Sequence, residues 1–496
     1  MNTFLNAMKQ NDNYTLTENG AVTHKSTLNG LMDLFALGGA YRNRSDEDCI
    51  TLFKAAFAED EIHALKCLFY LRDVRGGQGE RRFFRVVTHW MASYQTDAMR
   101  RNLKFVPEYG RWDDLYIFVG TPLEDEAFKI MKHQLALDVS CKTPSLLAKW
   151  LKSENTSSKE SRHLAVITRN HFGMTAKQYR KTLSTLRERI RIVERLMSEN
   201  RWDEIEFDKI PSRAGVIYRN AFARRDMIKA KYEAFAKDAE TKVNASALYP
   251  HDIAHRAFEA RRKDWGDPDR MMLQKYWENL PNYYGNNVEN GIAVVDVSDS
   301  MIGVPMEAAV SLGAYIADKA HGPFANHFIT FSGNPELVKF EGVDITDKLC
   351  RCVGADWGMN TNVEAVFDML LNTAMKQSVK PEDMPTRIYI FSDMEFDECV
   401  ISNSTSQRGW GYGMRSDAIQ TLFEAMKAKW ARYGYKMPSC IFWNLNARNN
   451  NIPAIGDGFS YVSGFSPVMI QQILSGKDGL DLILEKLDSE RYAQIH

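Results

Sequence analysis

Three stretches of this chain carry side chains able to hold a hard metal ion. The first, Gly291-Ile292-Ala293-Val294-Val295-Asp296-Val297-Ser298-Asp299-Ser300, is an apolar run ending in an acid, with two hydroxyls following at alternate positions. Five apolar or small residues in a row predict a strand buried on both faces of a parallel sheet. Asp296 then emerges at the carboxyl edge, where open α/β sheets place their ligands. One carboxylate and two hydroxyls on a tight loop are oxygen donors of the kind Mg²⁺ prefers. Short Asp/Ser runs are also ordinary turn formers, so the stretch is not diagnostic by itself. Two later stretches strengthen it. Arg387-Ile388-Tyr389-Ile390-Phe391-Ser392-Asp393 is a second apolar strand ending in an acid, and Met359-Asn360-Thr361-Asn362 delivers a threonine just ahead of an apolar-periodic helix.

Together these stretches resemble the metal-ion-dependent adhesion site of von Willebrand factor A domains. In that family a first Asp, two Ser, a loop Thr and a second Asp bind one divalent cation, directly or through water. The resemblance implies Asp296, Ser298, Ser300, Thr361 and Asp393 as ligands, with Mg²⁺ or another divalent cation as cofactor. The sequence departs from the family between the serines, where Asp299 stands in place of the usual small glycine and adds negative charge beside the ion or points away from it. A two-metal hydrolase needs several converging acids, and Asp296, Asp299, Asp393, Glu395 and Asp397 are available. No histidine or lysine accompanies them as an obvious base, so a non-enzymatic role is expected. An ion held by neutral hydroxyls and few carboxylates keeps positive character and accepts an acidic group from a partner protein as its last ligand. The same ion also serves as a plain staple between three loops.

The elements that must position these residues are legible beyond about residue 285. Helical patterns at 306–320, 362–375 and about 416–432 alternate with strand patterns at 291–295, 325–332, 387–392 and 440–445, and a weaker strand lies at Tyr461-Val462. Such alternation predicts a doubly wound α/β sheet. The turn-rich Pro281-Asn282-Tyr283-Tyr284-Gly285 leads into it, which places the domain boundary near 285.

Ahead of that boundary the periodicity is helical. Residues 1–29 are polar and rich in Asn and Thr, suggesting a loose arm. Leu52, Phe53, Ala56 and Phe57 mark one helix, and Ile62, Leu65, Leu68, Phe69 and Leu71 the next. With little strand-like alternation, 1–285 is expected to be an all-α domain of helical-repeat type, although no fixed period appears. The fold class is therefore multidomain, an all-α portion followed by an α/β doubly wound portion at 286–496.

The formal net charge of −1 over 496 residues hides an asymmetry: 1–285 carries an excess of about 8 positive charges and the remainder about 9 negative. A cationic first portion suits a polyanion. The Gly-rich segment 71–82 lacks the Gly-Lys-Ser/Thr ending and the preceding strand of a phosphate loop, and reads as a turn between helices with Arg72, Arg75, Arg81, Arg82 and Arg85 at the surface. Tyr109-Gly110-Arg111-Trp112-Asp113-Asp114 reads as an acid-capped helix start with Trp112 in the core. Thr175 and Gln178 form a capping box. Beyond them Tyr179, Leu183, Leu186, Ile190, Val193 and Met197 form one continuous apolar stripe, while Lys177, Arg180, Arg187, Arg191 and Arg195 share another face. That strip suits phosphate contact or a merely solvated face. Seven scattered cysteines without a paired Cys-x-x-Cys spacing, and the lack of a membrane-length apolar run, predict reduced thiols in a cytoplasmic protein with no membrane partner.

The resemblance reaches further. Leu147-Ala148-Lys149-Trp150-Leu151, Ile210-Pro211-Ser212-Arg213-Ala214, Pro250-His251-Asp252, Asp356-Trp357-Gly358 and Phe442-Trp443-Asn444-Leu445 look like a domain-of-unknown-function family found in plants, microbes and viruses. That family supplies an architecture without an activity. It is more distantly similar to the Ro ribonucleoproteins, in which a ring of helical repeats, the TROVE module, is closed by a von Willebrand A domain and binds small noncoding RNAs and loose RNA ends. The resemblance implies an RNA-binding scaffold with a Mg²⁺-holding second domain. The cationic residues expected to serve it are Arg72, Arg75, Arg81, Arg82, Lys177, Arg180, Arg187, Arg191 and Arg195.

Overall fold

Strand β3, Gly291–Val295, is buried along its whole length, and everything in its half of the molecule is arranged about it. The structure is a computed structural model and describes residues 12–190, 192–238, 240–264, 267–331, 334–353, 362–397 and 421–496. Two strands near the start form an antiparallel hairpin, β1 (Tyr14–Leu16) and β2 (Val22–His24). The main sheet holds β3 with β4 (His327–Thr330), β5 (Leu337–Lys339), β6 (Arg387–Ser392), β7 (Ser439–Asn444) and β8 (Phe459–Ser463) in the order β5-β4-β3-β6-β7-β8. All neighbours are parallel except the edge pair β4 and β5.

Successive connections run outward in opposite directions from β3 and β6, so the topological switch point lies between these two strands. Right-handed crossovers in opposite directions must lie on opposite faces. Helix Val304–Lys319 covers the face of Ala293 and Val295, approaching so closely that a Cβ on Gly313 would stand 2.3 Å from Val295 Cγ2. Helix Leu422–Arg432 covers the other face, with the Phe423 and Phe442 rings 4.7 Å apart edge to face.

Contacts group the described residues into two units. One takes in Met1–Cys67 and Leu248–Ser489; the other takes in Leu68–Ala247 and Glu490–His496. This differs from the boundary expected near 285, because helices Pro250–Ala260 and Pro268–Glu278 pack on helices Val304–Lys319 and Ile345–Val353 of the sheet unit. The buried Arg270 grips Asp344 with two nitrogens at 2.8 and 2.6 Å, and the Trp277 indole donates to Asp318 at 3.0 Å. Residues 1–29, expected as a loose arm, contain the β1–β2 hairpin, which bridges to Asp397 and Ile452 in the loops after β6 and β7.

Among its described residues the second unit has helices and no strand. The Thr175 box forms as expected, with Gln178 N–H donating to Thr175 Oγ at 3.3 Å and Gln178 Oε1 accepting from Thr175 N–H at 2.9 Å. The single long helix expected to Met197 does not form. It divides into Ala176–Ile190 and Val193–Ser198, with Ile192 extended between them and Leu196, not Met197, turned into the core. The last seven residues belong to this unit: Arg491 pairs with Asp73, and Tyr492 stacks on Tyr109 at 5.6 Å.

Candidate metal centre and cationic helices

The register of β3 on β6 assembles the acidic centre. Val295 pairs with Phe391, so the next residues, Asp296 and Ser392, stand side by side where the sheet ends. Asp296 N–H donates to Phe391 O at 3.0 Å, and Ser392 Oγ donates to Asp296 Oδ2 at 2.6 Å. Asp296 Oδ1 accepts the Ser298 N–H at 2.9 Å, which folds the loop back and brings Ser298 Oγ to 3.0 Å from Ser300 Oγ. Asn446, beyond the end of β7, reaches the Ser300 carbonyl at 3.3 Å, so three strand ends converge on this loop.

Asp393 follows β6 directly. Its neighbour Met394 is buried with φ of +65°, a left-handed backbone that L residues adopt only under constraint. Asp393 Oδ1 accepts the Glu395 N–H at 3.1 Å, and Asp393 Oδ2 has no hydrogen-bond donor among the described residues. Arg448 Nη2 stands 3.2 Å from that oxygen, close enough for ion pairing but not aligned as a hydrogen bond. Buried unmatched acceptors are costly, and sites where they persist have a use for the charge.

The electrostatics fit a cation. Asp296 and Asp393 are each 1% exposed. Burial, then the charge of Asp393, pushes the Asp296 carboxyl up to about 7, against the opposing hydrogen bonds from Ser392 and Ser298. The fold thus concentrates negative charge beside two neutral hydroxyls, a donor set for a hard divalent ion. No group of three or more His, Cys, Asp or Glu converges as a metal cluster among the described residues, so the oxygen set depends on serines. Of the five ligands the resemblance implied, Asp296, Ser298, Ser300 and Asp393 lie at the ends of the adjacent strands β3 and β6, and Thr361 lies outside the described residues. Asp299 is exposed, unlike the two buried acids.

Sequence reading missed Ser392, Asn446 and Arg448. Ser392 was visible in principle as the residue aligned with Asp296 once the strands are paired. Asn446 carries the same signal as Asp296, a polar residue just past an apolar strand, but with no acid to draw notice.

The cationic residues expected at the surface divide sharply. Arg72 is buried, with Nε and Nη2 both on Asp114 Oδ2 at 2.9 and 2.6 Å. Arg81 pairs with Asp113 at 2.6 Å and Asp114 at 3.3 Å. These two arginines brace the turn at 73–80, where Gly77 passes so near the Tyr70 carbonyl that a Cβ would be 1.9 Å from it. Asp113 and Asp114 are therefore buried anchors, and Trp112 is only half-buried. Arg187 donates to Ala148 O, Leu151 O and Ser153 Oγ at 2.7 to 2.8 Å, tying down a loop. Arg195 is held by Glu188, Glu199 and Ser184 O. Arg82 is half-buried, and Arg191 lies outside the described residues. Arg75, Lys177 and Arg180 are left more outward: Arg75 donates to Glu108 O at 2.8 Å, Lys177 is exposed, and Arg180 stands 3.5 Å from Glu154. The cleft of about 730 Å³ lined by Lys149, Arg180, Arg187 and Arg195 also holds Glu154, Glu194 and Glu199, so most of its positive charge is offset.

A different face of this unit sets a cation beside aromatic rings. Helix Arg82–Tyr94 has no acidic residue, and its outer side presents Arg85, His89, Trp90 and Tyr94. The Trp90 and Tyr94 rings stack nearly parallel with centroids 5.9 Å apart, and Tyr94 is 72% exposed.

Comparison with known proteins places the chain. The model of a domain of unknown function, DUF7788, matches residues 290–493. An uncharacterized protein of Acanthamoeba polyphaga mimivirus is 29% identical over 511 residues, covering 94% of this chain and 85% of the relative. Among solved structures, the crystal structure of the Deinococcus radiodurans RO (RSR) protein is similar with a TM-score of 0.49 and 13% identity, over 91% of this chain and 100% of that one. The model of a second domain of unknown function, DUF2828, matches residues 17–165 and 144–281, more than half of the sequence, and the chain belongs to that family.

Proposed function

We propose that this protein is a non-enzymatic RNA-binding scaffold whose helical unit carries the RNA and whose sheet unit holds a divalent cation, Mg²⁺ by its oxygen donors. The observation that supports the RNA reading is how charge follows the contact-defined units. The helical unit, Leu68–Ala247 with Glu490–His496, carries 35 lysines and arginines against 24 acids, while the sheet unit carries 28 against 40. An excess of 11 positive charges in one folded unit is stronger than the division at 285 offers, because the acidic first 67 residues belong to the other side.

Within that unit the acid-free helix Arg82–Tyr94 supplies what single-stranded RNA requires, cations for phosphate and aromatic faces for bases. Filter binding of a small noncoding RNA across a salt series tests this reading. Affinity should fall steeply as salt rises, through release of condensed counterions. No retention of RNA at low salt would remove it.

The cation reading is supported by Asp296, Ser298, Ser300 and Asp393 at the switch point and by Asp393 Oδ2, which has no hydrogen-bond donor among the described residues. The bound ion would lend positive charge to that edge. Asp296 and Asp393 would hold it while Ser392 and the Ser298 amide fix the Asp296 carboxylate. A second reading, capture of an acidic side chain of a partner protein by the ion, is favoured by the partial exposure of Ser300 beside the buried acids. Pull-downs with and without chelator, on wild type and Asp296→Ala, separate the two readings.

A further inference from the structure

Arg448 touches two carboxylates at once. Its Nη2 stands 3.2 Å from Asp393 Oδ2, and its Nη1 pairs with Glu18 Oε2 at 2.6 Å. The two acids differ in surroundings: the Asp393 side chain is fully buried, whereas that of Glu18 is 47% exposed. Glu18 sits in the turn of the β1–β2 hairpin, and that turn is seated on the metal-side loop through several bonds. Glu18 N–H donates to Glu395 Oε2 at 2.8 Å, Thr17 Oγ to Phe396 O at 2.7 Å, and Asn449 Nδ2 to both Glu18 Oε1 and Glu395 Oε1 at 3.0 and 2.9 Å.

The backbone beneath Arg448 is pinned by bonds of its own. The Arg448 carbonyl accepts from Arg44 Nη1, its N–H donates to Asn446 O at 3.0 Å, and Ala447 N–H donates to Ala40 O at 3.2 Å. From this fixed base the guanidinium bridges a dry acid and a wet one. Its side chain is 34% exposed, so part of it faces solvent. At Asp393 it stands against a carboxylate oxygen that has no hydrogen-bond donor among the described residues. A guanidinium is a diffuse single charge and cannot share that oxygen with a compact divalent ion without strong repulsion.

We propose that Arg448 is a built-in competitor for the divalent cation: it neutralises Asp393 when the ion is absent and shifts onto Glu18 when the ion binds, so that cation occupancy tightens the seating of the N-terminal hairpin. This rests on the cation reading above. Arg448 and Glu18 are positioning residues in this scheme, acting through Asp393 and not as ligands.

Calorimetric titration of the full chain with MgCl₂, and of Mn²⁺ by its spin-resonance signal, tests the idea. Arg448→Ala should bind Mg²⁺ at least about fivefold more tightly than wild type, the lower end of ordinary coupling between sites. Arg448→Gln should move in the same direction, and Arg448→Lys should stay near wild type. Glu18→Gln should weaken binding, because the guanidinium then has only Asp393 to face. Simple long-range attraction predicts the same signs, so the deciding measurement is the double variant. With Arg448→Ala present, Glu18→Gln should have no further effect. In wild type, but not in Arg448→Ala, Mg²⁺ should slow hydrogen exchange at the Glu18 and Gly20 amides. Unchanged or weaker Mg²⁺ binding by both Arg448→Ala and Arg448→Gln overturns the proposal, as does a Glu18→Gln effect that survives in the double variant. If wild type binds no Mg²⁺, binding that appears on removing Arg448 supports the proposal outright. Its continued absence overturns the proposal and the cation reading together, whereas Mg²⁺ binding that is unaffected at Arg448 overturns the proposal alone.

Discussion

Ser392 and Asp296 share a short hydrogen bond of 2.6 Å between the ends of two parallel strands, and through it the second strand sets the orientation of the first strand's acid. Ser392 is fully buried, so the bond is shielded from water and its loss leaves an unmatched carboxylate oxygen. Ser392→Ala should weaken Mg²⁺ binding about tenfold, as loss of an orienting partner does at metal sites. Asp296→Asn should abolish it while the chain stays folded. Thermal shift on adding Mg²⁺ reads both: wild type should gain about 2.7 kcal/mol at 100 times the dissociation constant, and Asp296→Asn should gain nothing.

Asp296 also makes stability depend on pH in the less usual direction. Its folded value, about 7, lies above its ordinary value of 3.8, so the folded chain holds this proton more tightly than the unfolded one. Its contribution is fully present below the ordinary value and is lost as pH rises toward 7, with a slope of at most about 1.4 kcal/mol per pH unit for one proton. In chelator, wild type should lose stability relative to Asp296→Asn between pH 5 and 7. Mg²⁺ must displace the same proton, so its affinity should climb by up to about tenfold per unit over that range and then level. A wild-type curve parallel to that of Asp296→Asn in chelator would falsify the assignment.

Gly313 holds the helix against the strand that carries the site. A methyl there meets Val295 Cγ2 at 2.3 Å, one residue before Asp296. Gly313→Ala should cost about 1–3 kcal/mol by overpacking, despite the better helix propensity of alanine. It should also weaken Mg²⁺ binding, whereas Gly434→Ala, strained by its own φ of +79° with nothing near its Cβ, should leave Mg²⁺ binding unchanged. Chemical denaturation and calorimetry on the same samples distinguish the two variants.

Arg72 and Arg75 sit three residues apart and should behave oppositely. Arg72→Ala leaves the buried Asp114 with only the longer Arg81 ion pair and should cost about 3–5 kcal/mol. Arg75→Ala removes an exposed cation and should change stability by less than about 0.5 kcal/mol while lowering the salt dependence of RNA binding. Urea unfolding and filter binding give the two readouts.

Trp90 and Tyr94 should matter for RNA and little for folding. Each replaced by Ala should lose about 1–3 kcal/mol of single-strand affinity, the usual worth of a stacked base. Equal affinity of the double variant and wild type for single-stranded RNA would remove this helix from the interface.

Both strands of the site were legible because a strand buried on two faces leaves an unbroken apolar run, and an acid ending such a run stands out against it. The same logic exposed the Thr175 cap, whose partners lie three residues apart. The cationic strip misled, because spacing on an ideal helix says which residues share a face but not which acids or carbonyls face them. Arg187 ties down Leu151 and Ala148, Arg72 neutralises Asp114, and neither pairing has a local signature. The helix itself ends at Ile190, and in the next one, Val193–Ser198, Leu196 is the core residue in place of Met197.

By itself the sequence determined the alternation of strands and helices, the two acids at strand ends and the excess of cations in the first half, since these are properties of composition and period. Only the tertiary structure decided that β3 and β6 are neighbours, that an N-terminal hairpin lies on the loops after β6 and β7, and that Arg448 faces Asp393 and Glu18 together. The reason is physical. Apolar period is encoded within a few residues, whereas pairing between residues 55 or 430 positions apart follows from which buried surfaces pack, and the packing is settled by the whole unit at once.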